Sequence, residues 1–295
     1  MPINRNRNRF RRFAIAAAAA LLCAALLAAC SQEGMNADPA DLLKQTISGL
    51  SGTDDFQFEG TTRIAVGSLP MQAASSFKGA VTGHNRLVMS FDGDAGGGGT
   101  AVIESIRARQ IGGGEIVVFD RKEKLWTLQD HDSEGSAAML LPWSPLYKLE
   151  QLNTMDKKVE SGRDSTRMTV LTVTPDAAAI TNTIKAELSR QAEGVSTDKQ
   201  LADLRAKFGL TDREAERMRS ELDLTVQKTK SSIEEAGGSM QASSVYRIWV
   251  DRTSRLPRRM QVETEMNYRS GGQPKQEKTH IDYAFTSYEN RPVAK

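Results

Sequence analysis

The side chains able to do chemistry are few and scattered. Two cysteines, Cys23 and Cys30, lie near the N-terminus, and the three histidines, His84, His131 and His280, are widely separated. A zinc site needs thiolates or imidazoles at short, regular spacing, and neither residue type supplies it. Asp, Glu and Ser are plentiful, yet none sits in a recognisable nucleophile, carboxylate dyad or metal pattern. The glycine-rich run from Gly93 to Gly99 lacks the Gly-Lys-Ser/Thr and the helix of a phosphate loop. The residues thus predict no catalytic group, no metal and no cofactor. The exception with chemical meaning is Cys30, which ends an apolar run.

That run has a leader's anatomy. Arg5, Arg7, Arg9, Arg11 and Arg12 precede it without an acid, and Ala14 to Ala29 follow without a charge. A basic start, a short apolar stretch and small residues at its end make a secretory signal. At about 16 residues the stretch is shorter than the roughly 20 a spanning helix needs. Leu27-Ala28-Ala29-Cys30 resembles the bacterial lipoprotein signal, whose lipobox reads Leu, small, small, Cys. The resemblance implies cleavage between Ala29 and Cys30 and a diacylglyceryl group on the Cys30 sulfur. Two long acyl chains contribute on the order of 20 kcal/mol of membrane affinity. Arg11-Arg12 also invites a twin-arginine reading, but the surrounding residues match that signal poorly.

Loss of residues 1–29 changes the charge balance. Five of the 39 basic residues leave with the leader, so 34 remain against 37 acids and the mature chain is near −3. A basic excess that would suggest nucleic acid is therefore absent. With Cys23 discarded and Cys30 lipidated, no disulfide can form. A mature chain of 266 residues is long enough to bury a sizeable core without one.

Residues 30–37 are small and polar, as suits a tether. Asp38-Pro39 then reads as a helix N-cap followed by proline, and Leu42, Leu43, Ile47 and Leu50 continue at helical spacing to about residue 50. From Phe56 the period changes to two: Phe58, Gly60, Thr62, Ile64 and Val66 share a face. Strands are predicted at about 71–82, 87–91, 100–108, 115–120, 125–128, 157–161 and 168–174. A short helix starts at Ser144-Pro145. Residues 176–236 are rich in Ala, Lys, Glu and Arg and read as two or three helices, broken near Gly194 and Gly209 and ended by Gly237-Gly238. Thr211-Asp212-Arg213-Glu214 is a capping box within them. Three further strands cover 239–251, 257–268 and 279–285. Ten or eleven antiparallel strands with one apolar face should curl over the helices or close up.

Three stretches carry a resemblance to the LolA-like superfamily. Leu42 to Phe58 reads as a helix entering a Phe-x-Phe strand. Val118-Phe119-Asp120 through Lys124-Leu125-Trp126 is similar to that family's charged hairpin. Tyr246-Arg247-Ile248-Trp249-Val250-Asp251-Arg252-Thr253-Ser254-Arg255-Leu256-Pro257 is similar to its strand, Asp-x-Thr turn and Leu-Pro restart. The ending Tyr283-Ala284-Phe285-Thr286-Ser287-Tyr288, with Pro292-Val293, also fits. The superfamily includes periplasmic lipoprotein carriers, outer-membrane lipoprotein receptors, mycobacterial lipid-carrying lipoproteins and germination lipoproteins. The resemblance spans most of residues 38–293 and implies an α+β fold: an incomplete antiparallel β-barrel with helices on its concave face. It departs at 176–236, a helical insertion longer than in the small carriers. The soluble carriers also lack the lipid anchor that Cys30 implies.

Two functional readings follow. In the first, the chain is a non-catalytic binding module holding an acyl chain or a lipoprotein's lipid in the half-barrel. Its cavity would be lined early in the chain by Phe58, Ile64, Leu87, Met89 and Phe91. Late in the chain it would be lined by Met260, Val262, Met266, Ile281 and Phe285; methionine adapts to irregular ligands. The same side chains could equally fill a solid core. In the second reading the chain is a lipid-anchored regulator or assembly partner of an envelope enzyme, recognising it through segment 196–236 and its Arg205, Lys207, Arg213, Glu214, Arg217 and Arg219. Either places the protein on the extracytoplasmic side of the cell membrane. In an envelope with two membranes it would face the periplasm or sit on the outer membrane, since Ser31 replaces the aspartate associated with inner-membrane retention.

Overall fold

The computed structural model describes residues 38–68, 72–83, 85–92, 116–122, 125–128, 141–165 and 167–289. The leader, Cys30, the tether, the glycine-rich run from Gly93 to Gly99, the predicted strand at 100–108 and the Pro292-Val293 ending lie outside them. Helix α1 (Pro39–Ser51) precedes the strands, and every strand among the described residues lies within a compact unit of Leu43–Lys295. Asp38 caps α1 as its sequence suggests, its Oδ1 accepting from the Ala40 N–H at 3.0 Å.

Two meanders make the sheet. The first is β1 (Asp55–Val66), β2 (Gln72–Thr82), β3 (Arg86–Asp92), β4 (Ile116–Lys122) and β5 (Leu125–Leu128). The second is β6 (Lys157–Arg163), β7 (Met168–Pro175), β8 (Gln241–Asp251), β9 (Pro257–Ser270) and β10 (Gln273–Glu289). The first and last strands pair antiparallel and join the halves into one ten-stranded sheet, ordered β5-β4-β3-β2-β1-β10-β9-β8-β7-β6. Among the described residues β5 and β6 do not meet, so the sheet they bound is open. Register shifts at Gln57/Phe58, Thr62/Arg63 and Trp249/Val250 add the local twist that curls it.

Between the meanders lie α2 (Pro145–Thr154), α3 (Ala177–Gly194), α4 (Thr197–Phe208) and α5 (Asp212–Ser239). Ser144 caps α2, Asp176 caps α3, and Thr211 with Glu214 forms the expected capping box on α5. The expected helix end at Gly237-Gly238 is not where α5 stops: it runs on to Ser239. Two glycines cost a helix about 2 kcal/mol relative to alanine, but tertiary anchors hold this last turn. The Glu235 carboxylate accepts from the Gly271 and Gly272 N–H groups at 2.7 and 2.8 Å, and Ser239 Oγ accepts from the Arg269 N–H at 2.8 Å. Several strands also run past their expected ends: β4 continues to Lys122, β6 to Arg163 and β9 to Ser270, and β10 extends from Gln273 to Glu289.

The helices cover the inner face of the sheet. Ile180 and Leu188 of α3, with Ile233 and Ala236 of α5, pack in one apolar cluster with Ala242, Met266 and Tyr268 of the sheet. Thr181 fixes α3 to β8: its hydroxyl donates to the Ala242 carbonyl and accepts from the Ala242 N–H. Among the described residues no helix is long and apolar enough to cross a membrane.

Candidate ligand-binding site

Strand register places nine of the ten sequence-predicted lining residues on one face. Phe58 opposes Phe285, Gly79 opposes Met89, Ile281 opposes Val262, and Tyr283 opposes Met260. Sharing a face does not make them line one space. Toward one side that face is solid. Phe58 and Phe77 meet at 6.5 Å, Phe77 meets Trp143 at 5.5 Å and Tyr283 at 5.6 Å, and Phe56 meets Phe285 at 6.2 Å. Phe58, Leu87, Met89, Met260, Val262 and Phe285 are buried there, while Ile64 is half-buried farther along β1. Phe91 belongs to β3, and its side chain lies outside the described ones.

Two glycines make that packing fit. Gly60 lies opposite Phe77 and Gly79 opposite Phe58 across the β1–β2 ladder. A Cβ at Gly60 would stand 2.2 Å from the Phe77 ring, and one at Gly79 would stand 2.2 Å from the Phe58 ring. Each ring lies over the bare backbone of the facing strand.

Farther along the same face the packing gives way to a cavity of about 80 Å³. Its floor is Ser244 and Tyr246 of β8, Thr264 and Met266 of β9, and Thr279 and Ile281 of β10. Its roof comes from one side of α2 (Tyr147, Lys148, Gln151), Met155 just beyond, and one side of α3 (Ile180, Thr183, Ile184, Glu187). These residues recur three and four apart, so each helix turns a single stripe toward the sheet. Leu146, Leu149 and Leu152, on another side of α2, are buried and hold that helix in place. Met266 and Ile281 are the predicted lining residues that line this cavity. Burial pushes the Tyr246 phenol up to about 12, so it stays protonated at neutral pH.

A larger groove of about 700 Å³ adjoins the cavity, and both are bounded by Tyr147, Gln151 and Thr183. Ile47, Ser48 and Ser51 of α1 form one wall, with Leu141, Glu150, Asn153 and Thr154 along α2 and Ala186 and Arg190 on α3. Arg121 of β4 reaches into it and pairs with Glu150 at 2.7 Å. Its volume falls within the range of about 300–1,000 Å³ usual for small-molecule sites. The groove wall is mixed, with Arg121, Glu150, Asn153 and Arg190 beside Ile47, Leu141 and Ala186, whereas Ile180, Ile184, Met155, Met266 and Ile281 make the cavity the more apolar of the two. An amphiphile matches that sequence of surfaces.

The roof was the part that sequence did not reveal. Tyr147, Gln151 and Thr183 look like ordinary helix-surface residues, and only the docking of α2 and α3 on the sheet makes them a boundary. Three inward positions on adjacent strands did carry a signal: Thr62, Thr264 and Thr279 interrupt otherwise apolar alternation. Of the charged residues read as a recognition face, Arg205 pairs with Asp212 at 3.1 Å and Arg219 with Asp198 at 2.8 Å. Glu214 is engaged in the capping box, and Arg213 and Arg217 are exposed. Among the described residues no group of three or more His, Cys, Asp or Glu could hold a metal ion.

No protein-family model and no curated protein matches the chain. Solved structures similar to it include a LolA superfamily protein from Nitrosomonas europaea, at 9% identity and TM-score 0.27, covering 88% of this chain and 96% of that one. LprF from Mycobacterium bovis matches at 8% identity and TM-score 0.31, covering 87% and 94%. A DUF1329 family protein from Desulfovibrio piger matches at 10% identity and TM-score 0.28, covering 87% and 93%. At TM-scores this low, none of the three bears on what this chain binds.

Proposed function

We propose that the chain is a lipid-anchored, extracytoplasmic binding protein for an amphiphile carrying an acyl chain. The polar part of the ligand occupies the groove between α1, α2 and α3. The apolar part passes Tyr147, Gln151 and Thr183 toward the inner face of the sheet. The observation that carries this reading is the juxtaposition of a larger groove, which bears charged and amide side chains, and a smaller, more apolar cavity that share those three boundary residues. The cavity of about 80 Å³ takes a few methylenes; a longer chain would displace α3 from the apolar cluster under Ile180 and Leu188.

Titration of the delipidated protein with a palmitate analogue bearing an environment-sensitive fluorophore tests this reading. Saturable binding is expected, weakened at least tenfold by Ile184→Trp, which fills the roof. Non-saturable signal, or equal binding by the variant, would count against a cavity site. The anchor has its own test. Wild-type protein should incorporate labelled palmitate and sediment with membranes, and Cys30→Ser should do neither. Palmitate incorporation by Cys30→Ser would remove the basis for lipidation at that residue.

A further inference from the structure

The cavity floor holds a polar feature that an apolar tail does not require. Ser244, Thr264 and Thr279 stand side by side across three strands, each directly opposite the next in register. Ser244 Oγ and Thr264 Oγ1 are hydrogen-bonded at 2.8 Å. Thr279 Oγ1, next along the row, has no hydrogen-bond partner among the described residues, and neither has Thr62 Oγ1, which lies opposite Ile281 two register positions along β1. Both threonines are at least nine-tenths buried, at 5% and 0% exposure, and Thr279 lines the cavity. Leaving a buried hydroxyl without a partner is costly, and valine has the same shape without that cost. Thr279, which unlike Thr62 lines the cavity, presents an unmet donor to any acceptor that enters it.

We propose that the Ser244–Thr264–Thr279 row is a polar subsite for the carbonyl oxygen of an acyl ester, with Thr279 as its donor. The inference rests on the amphiphile reading above and adds the chemical class of the linkage. The carbonyl would sit at the floor, with Ile281 and Met266 beside it and Ile180 and Ile184 above. The row then discriminates between lipids by the atom next to the chain rather than by chain length.

A pair of probes differing at that atom tests the subsite: 1-palmitoylglycerol, an ester, and 1-O-hexadecylglycerol, the matching ether. The wild-type protein is expected to bind the ester tighter by roughly fivefold, the value of one modest hydrogen bond. Thr279→Val should bring the two affinities within about twofold without weakening ether binding, and Thr279→Ser should restore the preference. The ligand-free Thr279→Val protein should melt no lower than wild type, since the valine removes only an unmet hydroxyl. Equal binding of both probes by wild type would overturn the subsite and leave the amphiphile site standing. An ester preference that survives Thr279→Val would do the same. Binding of neither probe would overturn both.

Discussion

Gly60 and Gly79 show how single residues decide where the inner face is solid. Each is the missing side chain that lets a phenylalanine lie across the neighbouring strand, and both rings are almost fully buried. Neither ring has room to yield, so Gly79→Ala should overpack the site and destabilise the fold by about 1–3 kcal/mol. Urea unfolding of the variant checks this; an unchanged midpoint would mean that Phe58 repacks freely. Alternation in the sequence showed that Phe58 and Gly60 face inward together. It did not show that the glycine is there to receive a ring, because that depends on a residue of the facing strand. The same limit explains the lining residues. Inwardness is a property of one strand's period, but being next to empty space depends on what two helices leave uncovered. Met266 and Ile281 border the cavity because α2 and α3 bridge over them, whereas Val262 and Met260 lie under filled packing.

At the scale of elements, short-range chemistry was the most legible. The Thr211–Glu214 capping box and the Asp38 cap follow from residue type and spacing alone. So does the turn after β8, where Asp251 Oδ1 accepts from the Thr253 and Ser254 N–H groups at 2.9 Å each. The end of α5 is not legible in its own residues, because its determinants, Gly271, Gly272 and Arg269, come from another part of the chain. Pairing between β9 and β10 carries an electrostatic tie on the outer face. Asp282 accepts from Arg259 Nε and Gln261 Nε2, both at 2.9 Å, and Arg259 also stacks over Trp249 at 5.0 Å. Partial burial pulls the Asp282 carboxyl upward, but the Arg259 and Gln261 hydrogen bonds and the Arg259 charge outweigh it, leaving it below its ordinary value of 3.8. A carboxyl lowered in the folded state adds stability that is present above 3.8 and lost as pH falls through the lower folded value. Asp282→Asn should therefore lower stability at neutral pH and flatten its decline below about pH 4. Melting temperatures at several pH values would show this, and parallel acid limbs in the two proteins would contradict it.

For the whole molecule, the open sheet matters more than any one strand. Pairing β1 with β10 puts the chain's first and last strands at the centre and leaves β5 and β6 as edges. Strand β6 is guarded by its own composition, since Lys158, Glu160 and Arg163 are exposed along it and oppose edge-to-edge pairing. An open sheet needs its inner face covered, and α2, α3 and α5 do so without filling the space above Ser244, Thr264 and Thr279. That uncovered space is the core of the functional account. Native mass spectrometry of the full chain, purified from membranes in mild detergent, tests it most directly. The account expects wild-type protein to carry a co-purifying acyl-ester lipid at about one per chain, and the Ile184→Trp variant to lose it. Lipid-free wild-type protein, or the same adduct on the filled variant, would contradict a ligand on the inner face.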